Sequence, residues 1–563
     1  MNRRIFLQQT GLLASATLAA PWRLPAQSAP APRPAAPAKE LATDLVIIGG
    51  GTGGCAAALA AARRGLSVIM TEETDWIGGQ LTSQAVPPDE NALVETTGAT
   101  RSYQEFRTRV RAYYARNFPL TAEARANPRL NPGNGSVSKL CHEPRVALAV
   151  LEEMLAPFVA SGRVRILRLH RAESALATGD RVEAVRVRSL QSGHDRVLRA
   201  PMFADATELG DLLPLTKTEY VIGYESRRDT GEERAPLEAQ PHNHQSFTCC
   251  FAMDYLHGED HTLERPRDWA FWRGHVPKLN PPWPGKLLDL FYSQPRTLKP
   301  FNYGFDPHKA TGLFRYRRIV DRSNFAPGTY HGDVTLVNWP QNDYMLGNLC
   351  EVPPAEAARH IEAGKQLSLS WLYWLQTECP RPDGGTGWKG LRLRPDIVGT
   401  EDGLAKYPYV RESRRIRAEF TVTENHVGTD ARAKITGQPA ATVTAEQFPD
   451  SVGIGHYAID LHPSSGGDNY IDFPARPFQI PLGALLPRRV ENLLPACKNL
   501  GVTHLTNGCY RLHPVEWNIG EAVGELAAFC RAKKEPPRAV RAKPALLADY
   551  QAQLKASGMP LSW

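Results

Sequence analysis

From Asp44 to Glu73 the chain reads DLVIIGGGTGGCAAALAAARRGLSVIMTEE. An apolar run is followed by glycines, then by a run of small residues, then by a second apolar run. That order predicts a buried strand, a helix and another strand: a β-α-β unit. Gly49, Gly51 and Gly54 make a G-x-G-x-x-G within it. The first glycine allows a tight strand-to-helix turn. The second lets backbone approach a pyrophosphate, and the third lets the helix pack closely on the strand. With Thr52 and Gly53 they open a helix whose unpaired N–H groups favour a phosphate. Glu72 closes the second strand, 18 residues beyond Gly54. A carboxylate there accepts hydrogen bonds from ribose hydroxyls and disfavours a 2′-phosphate. The stretch therefore predicts a dinucleotide site, with flavin and nicotinamide dinucleotides both open.

The chain has 563 residues, too many for one core, so two or three lobes are expected. Its formal charge of +7 is spread along the chain rather than gathered into an aromatic-interleaved patch. That argues against a nucleic-acid partner. Residues 1–28 read as an export signal, followed by a Pro/Ala linker at 29–42. The string NRRIFLQ at Asn2–Gln8 resembles a twin-arginine signal, with Asn2 and Gln8 standing where Ser/Thr and Lys are usual. It implies the twin-arginine export machinery as a partner and a periplasmic or secreted location. The apolar stretch Gly11–Ala20 is too short for a stable membrane span. Nine scattered cysteines include no C-x-x-C, so no metal site is expected and most should be buried free thiols.

The fold is expected to begin at residue 43. Residues 43–215 hold the first part of the dinucleotide domain, including a helix at Pro144–Ala160 that Pro157 bends or ends. Residues 216–450, rich in Trp, Tyr, Pro and Arg, form an inserted substrate or cap lobe. Residues 451–534 return to the dinucleotide domain and close with a helix at Glu516–Lys534. Residues 535–563 are a basic tail.

Three further stretches choose the dinucleotide by resemblance. Gly78, Gly79 and Gln80 lie in TDWIGGQLTS. Asp205, Ala206 and Thr207 lie in FADATELGD. The third is NLLPACKNLGVTHLTNGCYRLHPVEWNIGEAVGELAA, Asn492–Ala528. All three resemble flavoproteins of the glutathione reductase and fumarate reductase type. With LVNWPQNDY, KYPYVRESRRI and VGIGHYAIDLH, the chain resembles the secreted FAD-dependent oxidoreductase family, whose members often carry only that name or a xanthan lyase label. Glu208 and PACKN depart from the wider pattern, which has Gly and AGRN.

The resemblance implies FAD as cofactor. It implies an α/β fold: a Rossmann-like FAD-binding domain of three-layer ββα type with an inserted α+β lobe. It places Gly78–Gly79 beside the pyrophosphate and the start of the last helix against the flavin's pyrimidine edge, with Gly520 small enough for close approach. A helix N-terminus there stabilises the negative charge of reduced flavin. It does not imply a substrate.

Flavin chemistry on an organic substrate needs a group to move a proton. His504, Arg511 and His513, just before the flavin-facing helix, are the first candidates. His456, Asp460 and His462 in GHYAIDLH, Arg411 and Glu412 in YVRESRR, and Asn338 and Asp343 in NWPQND form further polar clusters that a structural role explains as well. The arginines and aromatics of the middle lobe point to a polar small molecule, sugar-like or carboxylated. The expected protein is an exported FAD-dependent oxidoreductase, with oxygen, a quinone or a periplasmic carrier as electron acceptor. Its rivals are an NAD-dependent dehydrogenase and a non-catalytic flavin-containing surface binding protein.

Overall fold

Five parallel strands carry the nucleotide-binding end: β1 (Leu45–Ile48), β2 (Val68–Glu72), β3 (Val164–Arg168), β4 (Met202–Asp205) and β5 (Leu493–Pro495). Their order is β5-β4-β1-β2-β3, each neighbouring pair in parallel register. In β1, Leu45, Val46 and Ile47 are fully buried. A parallel strand covered on both faces reads as a continuous apolar run, and burying each such side chain contributes about 2 kcal/mol. The strand order reverses between β1 and β4, so a crevice opens beyond their carboxyl ends, where α/β sheets hold ligands.

The computed structural model describes residues 39–563, and these form one compact unit. The export signal and most of the linker lie outside the described residues. Lys39–Ala42, expected as the end of the linker, is instead a strand parallel to Arg196–Arg199. It edges the antiparallel layer formed by His170–Thr178, Arg181–Ser189 and Asp195–Arg199. Edge pairing uses backbone groups, so KELA needs no apolar pattern to join it.

Helix α1 (Thr52–Arg63) covers one face of the parallel sheet. Helix α2 (Pro144–Ala160) runs past Pro157, which falls in its last turn. Two helices close the domain: α3 (His504–Tyr510) and α4 (His513–Lys533). α4 crosses α1 with backbones in contact. A Cβ at Gly520 would lie 1.9 Å from the Gly53 carbonyl oxygen, and one at Gly524 would lie 2.4 Å from that of Ala57. The expected tail, 535–563, holds two more helices, Pro537–Ala542 and Pro544–Ser557. Tyr550 and Leu554 are buried, and Tyr550 Oη donates to the Ala522 carbonyl at 2.7 Å.

The middle lobe is α+β. Its antiparallel sheet runs Arg318–Val320, Val334–Val337, Phe251–Tyr255, Leu391–Leu393. A helix the sequence reading did not mark, Pro354–Thr377, packs beside it through Leu367, Trp371 and Leu375. Trp269, Trp272, Trp283, Trp371, Trp374 and Trp388 all join this core. Most tryptophans of the lobe thus serve packing rather than a substrate face. All nine cysteines are buried and unpaired, as expected. Among the described residues no helix is long and apolar enough to cross a membrane.

The α1–α4 crossing gives a direct test. Gly520→Val should destabilise the protein by about 3 kcal/mol, the upper range for overpacking. Gly274→Ala, where a Cβ meets nothing within 4 Å, should change stability by less than about 0.5 kcal/mol. Urea unfolding of both variants checks the contrast.

Candidate functional site

The crevice at the ends of β1 and β4 is built from bare backbone. Gly49 has φ +97°, and a Cβ there would lie 2.3 Å from the Ala206 carbonyl. Gly79, the second of the glycine pair, would place a Cβ 2.9 Å from Gly51 Cα. Thr52 Oγ1 donates to the Gly78 carbonyl at 2.9 Å and ties the α1 N-terminus to that pair. Glu72 borders the crevice with Gly49, Gly51, Ala206 and Thr207. Its carboxylate accepts from Gly50 N (3.1 Å) and from Thr74 N and Oγ1 (2.8 Å each), while burial lifts its pKa to about 7. Asp205 is fully buried and holds the turn after β4 by accepting from Thr207 N (3.0 Å), Thr207 Oγ1 (2.7 Å) and Leu212 N (3.0 Å). It fixes the turn that borders the crevice.

From this crevice the segment 79–89 runs along the start of α4. Gln80 Nε2 donates to the Arg511 carbonyl (2.9 Å) and to Glu516 (2.6 Å). Buried polar atoms gather here without a hydrogen-bond partner: Gln80 Oε1, both amide atoms of Gln84, Arg511 Nε, His513 Nε2 and Glu516 Oε1. Buried polar groups are nearly always paired, so such a concentration marks a place built to meet a polar ligand.

Asp89 and Arg511 also border a cavity of about 600 Å³ that extends under the middle lobe. Its walls include Tyr292, Tyr303, Tyr409, Tyr457, Tyr470 and Trp339, with Arg317, Arg411, Asp460 and His462 among them.

A family model described as FAD dependent oxidoreductase matches residues 44–554. The chain belongs to the FAD-dependent oxidoreductase family. FAD is its cofactor, and the residues present fit that group. The glycine crevice suits the adenosine and pyrophosphate, and the unpartnered atoms from Gln80 to Glu516 suit the polar edge of a flavin. The N,N-dimethylglycine/sarcosine dehydrogenase of Chromohalobacter salexigens is 41% identical over 73 residues, 13% of this chain and 10% of the relative. The match thus spans a tenth of that relative's length. Solved structures with local likeness include L-proline dehydrogenase from P. horikoshii, at 16% identity and TM-score 0.18, covering 33% of this chain and 24% of that one. Another is OxyS anhydrotetracycline hydroxylase from Streptomyces rimosus, at 10% and 0.33, covering 92% and 66%. Glycerol-3-phosphate dehydrogenase from Bacillus halodurans, solved with FAD, is 15% identical with TM-score 0.20, covering 34% and 44%.

The three residues first expected in catalysis separate in this FAD-dependent oxidoreductase. Arg511 borders the cavity, its guanidinium donating to Tyr409 Oη at 2.7 Å and to the Asp460 carbonyl at 3.1 Å. His513 accepts from Asp89 N through Nδ1 at 3.1 Å, and burial pushes its pKa down to about 3. It is a neutral acceptor behind the cavity wall. His504 is buried away from the cavity, stacked on Tyr224 with ring centroids 4.2 Å apart and paired with Glu412 at 2.9 Å. It locks α3 to the RESRR segment. Gly520 meets the backbone of Gly53 in α1. The cavity residues Asp89, Tyr316 and Arg317 escaped the sequence reading, since none lies in a patterned motif, and Tyr457, inside GHYAIDLH, was passed over for the titratable residues beside it.

Both departures from the wider flavoprotein pattern meet at the crevice. Lys498, of PACKN, is buried and pairs with Glu208, whose other oxygen lies 2.9 Å from a Cβ built at Gly79 and 3.1 Å from one at Gly51. Burial opposes the lysine's charge, but Glu208 and Glu516 outweigh it and keep the ammonium protonated. Lys498→Met leaves the Glu208 carboxylate uncompensated beside the pyrophosphate crevice. It should cost about 3 kcal/mol, the scale of a broken buried pair, and weaken FAD binding. Adding Glu208→Gln should recover most of both losses, read by urea unfolding and by FAD fluorescence titration of the stripped protein.

Proposed function

We propose that this protein is an exported FAD-dependent oxidoreductase that passes two electrons between FAD and a small polar organic molecule. The observation that carries the reading is the 600 Å³ cavity, which joins Asp89 and Arg511 at the flavin side to the aromatic residues of the middle lobe. It is of a size that buries a small ligand, with apolar walls and a few convergent polar groups. Oxygen, a quinone or a periplasmic carrier takes the electrons onward. The Asn2–Gln8 string supports export of the folded protein. A sarcosine-like amine substrate has little support, because the relative that acts on one is matched over so short a stretch.

The purified protein should be yellow, release FAD on denaturation, and lose its flavin colour anaerobically with members of a metabolite panel. Ala458→Trp places a large ring in the cavity. It should abolish substrate-dependent bleaching and retain the flavin. A colourless protein that binds NAD, or a flavin that no panel member reduces, overturns the reading.

A further inference from the structure

We propose that His462, held by Asp343, accepts the hydroxyl proton of a neutral, hydroxyl-bearing ring substrate, such as a pyranose, bound in the cavity. The inference rests on the oxidoreductase reading above and names the substrate class and the base for it.

The dyad is assembled from segments far apart in the chain. His462 Nδ1 lies 2.5 Å from Asp343 Oδ2. Asp343 is fully buried, and its other oxygen accepts from Thr248 Oγ1 at 2.5 Å and forms an ion pair with Arg411 Nη2, 3.0 Å away. Burial opposes its charge, but Arg411 and His462 hold its carboxyl below the usual range. An ionised Asp343 must accept, so Nδ1 carries the proton and Nε2 presents a lone pair on the cavity side. Around the ring stand Arg411, Asp343, Asp460 and the edge-on ring of Tyr470, its centroid 5.3 Å away. Asp460 is 3.9 Å from Nε2, too far for a hydrogen bond. Burial and Arg411 lower the imidazole's pKa against the pull of Asp343. The ring is neutral near pH 7 and able to take a proton.

The charge pattern decides the substrate class. Four arginines border the cavity and each has a carboxylate partner: Arg296–Asp472 (3.0 Å), Arg317–Asp89 (3.4 Å), Arg411–Asp343 (3.0 Å) and Arg511–Asp460 (3.5 Å). A carboxylated substrate finds no uncompensated cation here and has to displace an aspartate to gain one. Hydroxyls both donate and accept, so they fit among paired ions without separating them. The tyrosine rings and Trp339 supply flat apolar faces with polar edges, suited to the C–H faces of a saturated ring.

FAD, when bound, supplies the two-electron acceptor. The carbinol C–H bond breaks with its electron pair leaving as hydride for that acceptor. The O–H bond breaks with its proton going to His462 Nε2, and the electrons left behind form C=O.

The test uses the FAD-loaded protein. Glucose, galactose and xylose, glucuronate, and glucosamine are compared as anaerobic reductants of the flavin. Binding of gluconolactone is measured separately by calorimetry and by perturbation of flavin absorbance. A neutral sugar is expected to bleach the flavin at least tenfold faster than glucuronate or glucosamine. His462→Gln should slow bleaching by about 10²–10⁴-fold, the range for a lost general base, with gluconolactone affinity changed less than about threefold. The parent rate should rise with pH along a limb below the ordinary histidine range, and His462→Gln should lack that limb. Asp343→Asn keeps the hydrogen bond but not the charge, and should shift the limb. Glucuronate bleaching in preference to every neutral sugar overturns the substrate class. A His462→Gln protein that binds gluconolactone and bleaches at the parent rate, or keeps the limb, overturns the base. A protein that binds gluconolactone while no compound reduces its flavin overturns the oxidoreductase reading itself.

Discussion

The contact on which the rest of the molecule depends is the crossing of two backbones, Gly53 against Gly520. The first glycine opens the nucleotide turn near the start of the fold. The second lies in a helix contributed by the chain's far end. Because neither has a side chain, α4 can lie directly on α1, and its N-terminus falls beside the glycine pair at Gly78–Gly79. Everything chemical follows from that approach. Gln80 reaches Glu516, Asp89 reaches His513, and Arg511, in the turn between α3 and α4, reaches the cavity. A wider separation of the helices would open a gap between the nucleotide crevice and the substrate cavity.

Charge inside this protein is handled by local neutralisation. Lys498 answers Glu208 at the crevice, Arg415 answers Glu412 and Glu225 beside α3, and Arg411 answers Asp343 under the cavity. Breaking any such pair strands an ion in a poorly solvated place, which costs more than the pair contributes when intact. The arrangement fixes segments that have no regular secondary structure to fix them. The RESRR string shows this well. Arg411 faces the cavity, Glu412 and Arg415 face α3, and Arg414 binds Glu351 at 2.7 Å. One short stretch thereby couples the middle lobe to the nucleotide domain.

The nucleotide half was legible because its physics is local. A strand buried on both faces must be apolar throughout, and a turn with φ +97° wants glycine, so β1 and Gly49 are visible in the letters. The glycine at 520 was also visible, but its packing on α1 was not. Close approach to a cofactor and close approach to another helix select the same residue. The middle lobe was harder. Its helix at 354–377 hides its period among tryptophans that look like ligand platforms, and only packing shows that Trp371 and Trp374 face a core. Lys39–Ala42 joins a sheet through backbone alone, which no side-chain pattern announces. The cavity is drawn from segments as far apart as Asp89, Arg317, Tyr409 and His462, and a contact between distant segments leaves no local trace.

Two histidines illustrate how far identity and neighbourhood differ. His504 and His462 each lie in a polar string, and each meets a buried carboxylate, Glu412 and Asp343. Each carboxylate is also tied to an arginine, so the two pairs look alike on the Nδ1 side. What separates them is the rest of the ring. The His504 ring lies flat on Tyr224 and is closed off by protein. The His462 ring leaves Nε2 on the wall of the large cavity. An oriented imidazole does chemistry only where a reacting proton can reach it. Sequence proximity to the flavin-facing helix favoured His504. Access to the cavity favours His462, and access is the stronger criterion, because proton transfer acts over a hydrogen-bond length while position in the chain sets no distance.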